Sequence, residues 1–344
     1  MKPARLVTAL AGALVALGSG ASQAQDVTLR IHHFLSAKGT IQAQVLEPWC
    51  ATLGRESGGR IKCQFYPSMQ LGGTPPQLFD QARDGVADII WTIPTYQAGR
   101  FTKSEVFELP FMTMNAETGS PALWEYIHKN SMDEFRGVKL LAAHVHDGSL
   151  LHFSNRRVTT LEEVKGQKVR APTRIGTKFL TAIGAAPVQM QIPQVTEALA
   201  KSVIDGAMVP WEVAPAIKLQ EVTKYHLDTA PGVAKMSNSI FVLAMNPAKY
   251  DSMPADLKKI LDAHTGLEFS KHIGKVFDGT TAGGIKLARD AGGVFDTVSP
   301  AEYARWQKAC EPVVAEWVGE AGAKGANGKA LYDDARALLK KFGG

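Results

Sequence analysis

The order of hydrophobic and polar stretches predicts alternating strands and helices in the first third of the chain. Short runs rich in β-branched, aromatic and other apolar residues predict strands at residues 27–34, 60–66 and 86–92. The stretches between these runs, residues 40–55 and 75–84, predict helices. Strands that alternate with helices are typical of an open α/β sheet, so we expect such a sheet here.

The middle of the chain continues this alternation, and its last part is mostly helical. Further strands are predicted at residues 137–146, 167–170, 203–209 and 239–245. Further helical segments are predicted at residues 160–166, 173–183 and 194–201. Gly184 suits the end of the second segment, because glycine readily adopts the left-handed conformation that follows a helix. A long amphipathic helix is predicted over residues 256–276, with apolar positions Leu257, Ile260, Leu261, Leu267 and Ile273.

The first 24 residues have the layout of a secretory signal peptide. Lys2 and Arg5 precede an apolar stretch at residues 6–17, and the small residues Ser22 and Ala24 mark a cleavage site after Ala24. The alternative is an uncleaved anchor, but a membrane-spanning helix needs about 20 apolar residues. We therefore expect a mature protein in the periplasm, with a formal net charge of +3 instead of +5.

Composition and charge indicate a globular protein and argue against a nucleic-acid partner. Of the 344 residues, 45% are hydrophobic and 21% are charged, which is ordinary for a folded domain. The 38 basic and 33 acidic residues are interspersed, without the runs of like charge that mark nucleic-acid-binding segments. No repeat or low-complexity linker divides the chain, so two lobes that share crossing segments fit it better than consecutive domains.

The three cysteines suggest one disulfide bond. Cys50 lies late in a predicted helix and Cys63 lies in the next predicted strand, with a turn at Gly58 and Gly59 between them. A helix that folds back on that strand could bring the pair into disulfide range, and two free buried thiols are the alternative. Cys310 remains and is expected to be buried. No CxxC or metal-type spacing is present, which excludes redox or zinc chemistry through cysteine.

Familiar catalytic signatures are missing from the sequence. It contains no GxSxG, HExxH or P-loop motif, and no GxGxxG after a strand. His144 and His146 share one face of a predicted strand and could point together at a metal ion. No carboxylate or cysteine joins them at ligand spacing, so we interpret them as hydrogen-bonding residues. We expect no metal and no cofactor.

Arg170 is the strongest candidate for ligand binding. It ends a short strand, and Pro172 follows in the turn before a helix. An arginine at the carboxyl end of a strand in an open sheet faces the crevice where such folds bind ligands. Its planar guanidinium suits a carboxylate, to which it can donate two parallel hydrogen bonds. From spacing alone, a solvent-exposed arginine on a loop is the alternative.

Several motifs together resemble one family. The segment KGQKVRAPTRIGTKFLTAIGAAPVQMQIPQVTEALAKSVIDGAMV (165–209) resembles the core motif of the substrate-binding proteins of TRAP transporters, the DctP family. Other segments resemble that family in the same order along the chain: SGGRIKCQFYPSMQLGG (57–73), GVADIIW (85–91), ELPFM (108–112) and EVTKYHLDT (221–229).

The resemblance implies a fold, a role and partners. Members are two-lobed α/β proteins of the periplasmic-binding-protein type (type II-like), with a long helix across both lobes. We expect lobe I to comprise residues 25–147 and 235–275, and lobe II residues 148–234 and 276–344. Members are not enzymes. They close around a small organic acid and deliver it to a small and a large integral membrane subunit.

The resemblance also implies site residues. The family's carboxylate-binding arginine corresponds to Arg170, its first-strand pocket residue to His33, and its third-strand pocket position to Trp91. The further candidates are His146, His152, Arg174, Met208, Val209 and Trp211. His146 and His152 could hydrogen-bond a keto or hydroxyl oxygen, and Arg174 could be a second anion contact.

Departures from the sialic-acid-binding members predict a less polar ligand. Leu150, Val209 and Ile192 stand where those members have arginine, asparagine and phenylalanine, so polar contacts are lost. A polyhydroxylated sugar acid would leave hydroxyls unpaired, at about 1–3 kcal/mol each. We therefore expect a mainly apolar or aromatic monocarboxylate, such as a 2-oxo or 2-hydroxy acid.

Other functions stay open at this point. A binding protein of this kind could instead serve a sensor kinase or an ATP-driven importer. An exported enzyme that acts on an organic acid, with His146 and Asp147 beside Arg170, is an alternative of a different class.

Overall fold

The strands of the chain form two separate β-sheets in the computed structural model, which describes residues 26–344. The five strands of the first sheet are, in spatial order, β2 (Ile61–Tyr66), β1 (Val27–His33), β3 (Ile89–Thr92), β10 (Ile240–Met245) and β4 (Lys139–Val145). The six strands of the second sheet are, in spatial order, β11 (Val294–Thr297), β9 (Tyr225–Asp228), β5 (Leu150–Phe153), β8 (Gly206–Val209), β6 (Lys168–Ala171) and β7 (Ala186–Gln189).

Helices cover both sheets, so the fold belongs to the α/β class that the sequence predicts. The helices of the described part are α1 (Glu47–Glu56), α2 (Leu78–Arg83), α3 (Ala116–Tyr126), α4 (Leu161–Val164), α5 (Arg174–Ala182), α6 (Val195–Ala200), α7 (Pro247–Asp251), α8 (Ala255–Ala263), α9 (Leu267–Asp290), α10 (Pro300–Ala323) and α11 (Gly328–Lys341). None of these helices is both long enough and apolar enough to cross a membrane.

Each sheet contains both parallel and antiparallel strand pairs, and the chain crosses more than once from one sheet to the other. In the first sheet β1 runs parallel to β2 and β3, whereas β10 is antiparallel to β3 and β4. In the second sheet β6 runs parallel to β7 and β8, whereas β5 is antiparallel to β8 and β9. The chain passes from the first sheet to the second after β4 and returns between β9 and β10. Ser149 and Ser237 join these two crossing segments in a β-bridge.

The long helix α9 contacts both sheets, as the predicted fold requires. Near its start, the Ser270 hydroxyl accepts a hydrogen bond of 3.0 Å from the amide of Ala143 in β4. Near its end, a side chain at Gly284 would collide with the main-chain oxygen of Trp211, which follows β8. Glycine at this position therefore allows the helix to pack closely on the second sheet.

The single helix predicted over residues 256–276 is wrong, because the chain breaks there into α8 and α9. Gly266 separates the two helices with φ of +89°, a conformation that suits glycine. Its amide donates a hydrogen bond of 2.7 Å to the main-chain oxygen of Leu141 in β4. Apolar periodicity on both sides of the break concealed it, since both helices bury apolar faces.

The last two helices pack beside both sheets, since α10 contacts α5 next to the second sheet and α11 contacts α3 next to the first. In α10 the Trp317 indole donates a hydrogen bond of 2.9 Å to the main-chain oxygen of Thr102, and α11 packs against α3. The division of the chain into two lobes with the boundaries given above stays a prediction. The signal peptide predicted at residues 1–24 lies outside the described residues.

A disulfide bond joins Cys50 in α1 to Cys63 in β2, which confirms the pairing that the sequence suggested. The bond links an edge strand of the first sheet to the helix that covers it, and the bonded cysteines are 13 residues apart in sequence. Cys310 is a buried free thiol in α10.

The fully buried carboxyl group of Glu108 links the two sheets. Its Oε1 accepts hydrogen bonds from the Thr95 hydroxyl (2.6 Å) and from the amide of Ile240 in β10 (3.1 Å). Its Oε2 accepts one from the hydroxyl of Thr173, the N-cap residue of α5 beside the second sheet (2.7 Å). Burial raises the pKa of Glu108 to about 7, because the ionised form loses its hydration.

Removal of the disulfide should lower the free energy of unfolding by about 3 kcal/mol, because a closed loop of this size restricts the unfolded chain by roughly that amount. Urea unfolding of the Cys50→Ala/Cys63→Ala variant against the oxidised protein measures this difference. As a control, a reductant should weaken the parent protein and leave the variant unchanged. Three free thiols in the unfolded, unreduced protein would contradict the bond.

Glu108 should make stability fall as the pH rises. Its pKa lies higher in the folded than in the unfolded chain, so its contribution is fully present below about pH 4.5 and is lost by about pH 7. The Glu108→Gln variant should therefore gain stability relative to the parent across this window, by about 1 kcal/mol per pH unit at the steepest point. Urea unfolding of both proteins from pH 4 to 8 tests this. A pH-independent difference would contradict it.

Candidate ligand-binding site

A small cavity lies between the two sheets, and residues of both sheets and of both crossing segments line it. Its apolar lining includes Phe34, Leu35, Trp91, Ile93, Tyr96, Ile192 and Phe241. Its polar lining comprises His146, Ser149, Arg170, Glu212 and Ser239. The polar groups are few and the apolar surface includes four aromatic rings, as in sites that bind small organic ligands.

Arg170 projects into this cavity from β6 and is 2% exposed. Its Nε donates a hydrogen bond of 3.0 Å to the main-chain oxygen of Met190, and its Nη1 donates one of 2.7 Å to that of Met208 in β8. Because β6 and β8 pair in parallel, the Met208 carbonyl is held close to the guanidinium. The Tyr96 side chain also interacts with the guanidinium.

No carboxylate of residues 26–344 forms an ion pair with Arg170. Burial lowers the pKa of Arg170 from its ordinary value, and no protein carboxylate offsets this effect. Main-chain oxygens orient the guanidinium but do not neutralise its charge. A buried cation without a counter-ion is unfavourable, so the cavity is suited to an anion.

Three stacked rings form one wall of the cavity. The Trp91 ring lies between Phe34 (4.9 Å between ring centroids, 28° between planes) and Phe241 (4.8 Å, 11°). The Trp91 indole donates a hydrogen bond of 2.8 Å to Nε2 of His144 behind it. Burial lowers the pKa of His144 to about 3, so the imidazole stays neutral and can accept this bond. The wall is therefore fixed by a buried hydrogen bond and by stacking.

His146 lines the cavity as a neutral hydrogen-bond donor. Its Nδ1 accepts a hydrogen bond of 2.9 Å from the amide of Gly148, which leaves the proton on Nε2. Burial and the nearby charge of Arg170 lower the pKa of His146 to about 3. The prediction that His146 belongs to the site agrees with this position.

The other predicted histidines lie behind the cavity wall. His33 is fully buried, its Nε2 donates a hydrogen bond of 2.9 Å to Oε1 of Gln42, and its ring packs edge-on against the Trp91 ring. Nε2 of His152 donates a hydrogen bond of 3.1 Å to the main-chain oxygen of Val209, and its Nδ1 forms a hydrogen bond of 2.9 Å with Nδ1 of His226. Both histidines support lining residues instead of lining the cavity themselves.

Met208, Val209 and Trp211, which were predicted as site residues, also lie behind the cavity wall. Met208 contributes its main-chain oxygen to Arg170, and Val209 contributes its main-chain oxygen to His152. The Trp211 ring packs edge-on against His152 and stacks on Phe295. Glu212, the next residue, lines the cavity in its place.

Arg174 lies outside the cavity and forms ion pairs with Glu105 and Glu320. It begins α5, and these two carboxylates raise its pKa above the ordinary value. The structure thus gives the two arginines of this segment different surroundings, since only Arg170 is left without a carboxylate.

The sequence did not identify Phe34, Phe241 or Glu212 as site residues. Phe34 is the neighbour of His33, and a shift of one residue along an extended chain reverses the face on which a side chain lies. Phe241 follows the segment that returns to the first sheet, whereas Glu212 lies in the connection from β8 to β9 within the second sheet, and no local pattern marks either position.

Comparisons with known proteins agree with this fold. Residues 31–320 match the family model DctP, described as bacterial extracellular solute-binding protein, family 7. A curated relative, the C4-dicarboxylate-binding periplasmic protein DctP of Vibrio cholerae, is 25% identical over 94% of this chain and 96% of its own length.

Two solved structures are more similar. A TRAP solute-binding protein from Rhodoferax ferrireducens, in complex with copurified benzoate, is 42% identical with a TM-score of 0.91, over 92% of this chain and 98% of that one. A marine metagenome TRAP solute-binding protein specific for aromatic acid ligands, in complex with 3-hydroxybenzoate, is 39% identical with a TM-score of 0.90, over 92% and 99%. The chain described here belongs to the DctP family and is a TRAP solute-binding protein.

Proposed function

We propose that this protein binds an aromatic monocarboxylate, with the carboxylate held by Arg170, and delivers it from the periplasm to the membrane subunits of a TRAP transporter. The observation that carries the proposal is the buried Arg170 guanidinium, which faces an aromatic cavity without a carboxylate partner among the described residues. A ligand carboxylate supplies the missing counter-charge.

The remaining hydrogen-bonding capacity of Arg170 supports this role. Nε and Nη1 already donate to main-chain oxygens, so the other N–H groups are the ones that a ligand can engage. Charge-assisted hydrogen bonds contribute about 1.5–3 kcal/mol each, and more where water is excluded. Two such bonds cover about half of the 8 kcal/mol that micromolar binding requires.

The ring of the ligand supplies a second part of the binding energy. Trp91, Phe34, Phe241 and Tyr96 present aromatic surface to the cavity. Burial of about 100 Å² of apolar ligand surface contributes roughly 2.5 kcal/mol. The two similar solved proteins are described with benzoate and 3-hydroxybenzoate, which are ligands of this chemistry.

Enclosure of the cavity implies that the lobes separate to admit the ligand. Contacts across the cavity include the Ile192 amide with the Tyr96 hydroxyl (3.4 Å) and the Thr40 hydroxyl with the main-chain oxygen of Glu212 (3.3 Å). These contacts are few and polar, so they can break and reform as the ligand enters and leaves.

Replacement of Arg170 by methionine should weaken benzoate binding at least 100-fold, because the carboxylate then enters an apolar site without a counter-charge. Isothermal titration calorimetry with benzoate measures the affinity. The matched control is Arg174→Gln, which removes an arginine outside the cavity and should change the affinity less than threefold. Unchanged binding by the folded Arg170→Met variant would contradict the proposal.

Benzoate should be recovered intact after incubation with the protein, and uptake into proteoliposomes that contain the transporter's small and large subunits should require it. Chromatography of the incubated acid and a radiolabelled uptake assay measure these two outcomes. The control is the Arg170→Met variant, which should not support uptake. Consumption of the acid would favour an enzyme, and uptake without the protein would contradict delivery.

A further inference from the structure

The carboxyl group of Glu212 also lines the cavity. It follows Pro210 and Trp211 after β8, and it is 5% exposed. Its Oε2 has no hydrogen-bond partner, and it forms no ion pair with any residue of the described chain, Arg170 included. A buried carboxyl group with an unpaired oxygen is costly unless a ligand satisfies it.

The surroundings of Glu212 favour the neutral carboxyl group. The nearest acidic group is Asp147, which is itself buried, accepts a hydrogen bond from Thr281, and has Oδ1 unpaired. Burial, and secondarily the Asp147 carboxyl, raise the pKa of Glu212 well above its ordinary value. A neutral carboxyl group can both donate and accept a hydrogen bond, so it suits a hydroxyl better than a cation.

Other polar groups of the same cavity have free hydrogen-bonding capacity. His146 carries its proton on Nε2, because Nδ1 accepts from Gly148. The hydroxyls of Ser149 and Ser239 line the cavity and make no side-chain hydrogen bond within residues 26–344. The ring of benzoate carries no hydrogen-bonding group for these side chains, whereas a hydroxylated ring carries one.

We propose that Glu212 is a specificity-determining residue that binds a hydroxyl group on the ligand's aromatic ring, while Arg170 holds the carboxylate. This inference rests on the proposed function, since it presumes an aromatic acid in the cavity. The hydroxyl donates to the unpaired Oε2 of Glu212 and can accept from a donor of the polar lining. The preferred ligand is then a hydroxybenzoate, with benzoate as a weaker ligand that leaves Glu212 unpaired.

The test compares the affinities of benzoate and of 2-, 3- and 4-hydroxybenzoate by calorimetry. At least one isomer should bind the parent protein about 10-fold more tightly than benzoate, the effect expected when a buried polar group gains a partner. In Glu212→Leu this ratio should fall below threefold, because the ring hydroxyl then has no hydrogen-bond partner at this position. In Glu212→Gln, which keeps a neutral hydrogen-bonding group, the preference should persist.

The outcomes separate this inference from the proposed function. If benzoate binds but no hydroxy isomer binds more tightly, the inference fails and the proposed function stands. If Glu212→Leu weakens all four acids equally, Glu212 has a structural role and the inference fails. Tighter binding of 3-(aminomethyl)benzoate than of any hydroxybenzoate would show an ionised Glu212 and overturn the hydroxyl assignment. Binding of none of these acids would overturn the proposed function itself.

Discussion

A buried guanidinium without a carboxylate counter-ion among residues 26–344 is the constraint on which the cavity depends. Arg170 is held by two main-chain oxygens that fix its direction but leave its charge uncompensated. The parallel pairing of β6 with β8 provides one of these oxygens, so the sheet itself positions the cation. Such an arrangement is unfavourable in isolation and becomes favourable when an anion enters. The family to which the chain belongs binds solutes, and this site shows how one charge can select their class.

Contacts within the protein hold the aromatic wall of the cavity in place. Trp91 is stacked between two phenylalanine rings and is hydrogen-bonded to a neutral histidine behind it. Rings that are already ordered lose little freedom when a ligand binds, which favours affinity. Glu108 also holds the two sheets together, because its carboxyl group accepts hydrogen bonds from segments beside both of them. Stacked rings and polar links between the sheets therefore frame the cavity.

Much of the fold could be predicted from the sequence, and the misses have physical causes. Strands β1, β2 and β3 were recognised because they lie in apolar or alternating stretches of seven or eight residues, at positions 27–34, 60–66 and 86–92. Strands β5, β7, β9 and β11 were not predicted. Each has four residues, which gives little periodic signal, and the equally short β3, β6 and β8 were recognised only as parts of the stretches 86–92, 167–170 and 203–209. The break at Gly266 was missed because the apolar pattern continues on either side of it. Of the predicted site residues, Arg170 and Trp91 line the cavity, whereas His33 lies behind it and its neighbour Phe34 lines it.

The sequence by itself determined the family resemblance, the α/β class, the pairing of two cysteines and the arginine that faces the cavity. These properties depend on local patterns and on motifs in a fixed order. Only the tertiary structure decided which side chains share the cavity with Arg170. Phe241 reaches it because the chain returns to the first sheet before β10, and Glu212 reaches it because the connection from β8 to β9 passes beside the cavity. Neither placement leaves a local signal in the sequence. The same folding pairs Arg174 with carboxylates and leaves Arg170 without one, a difference that residue type and spacing do not contain.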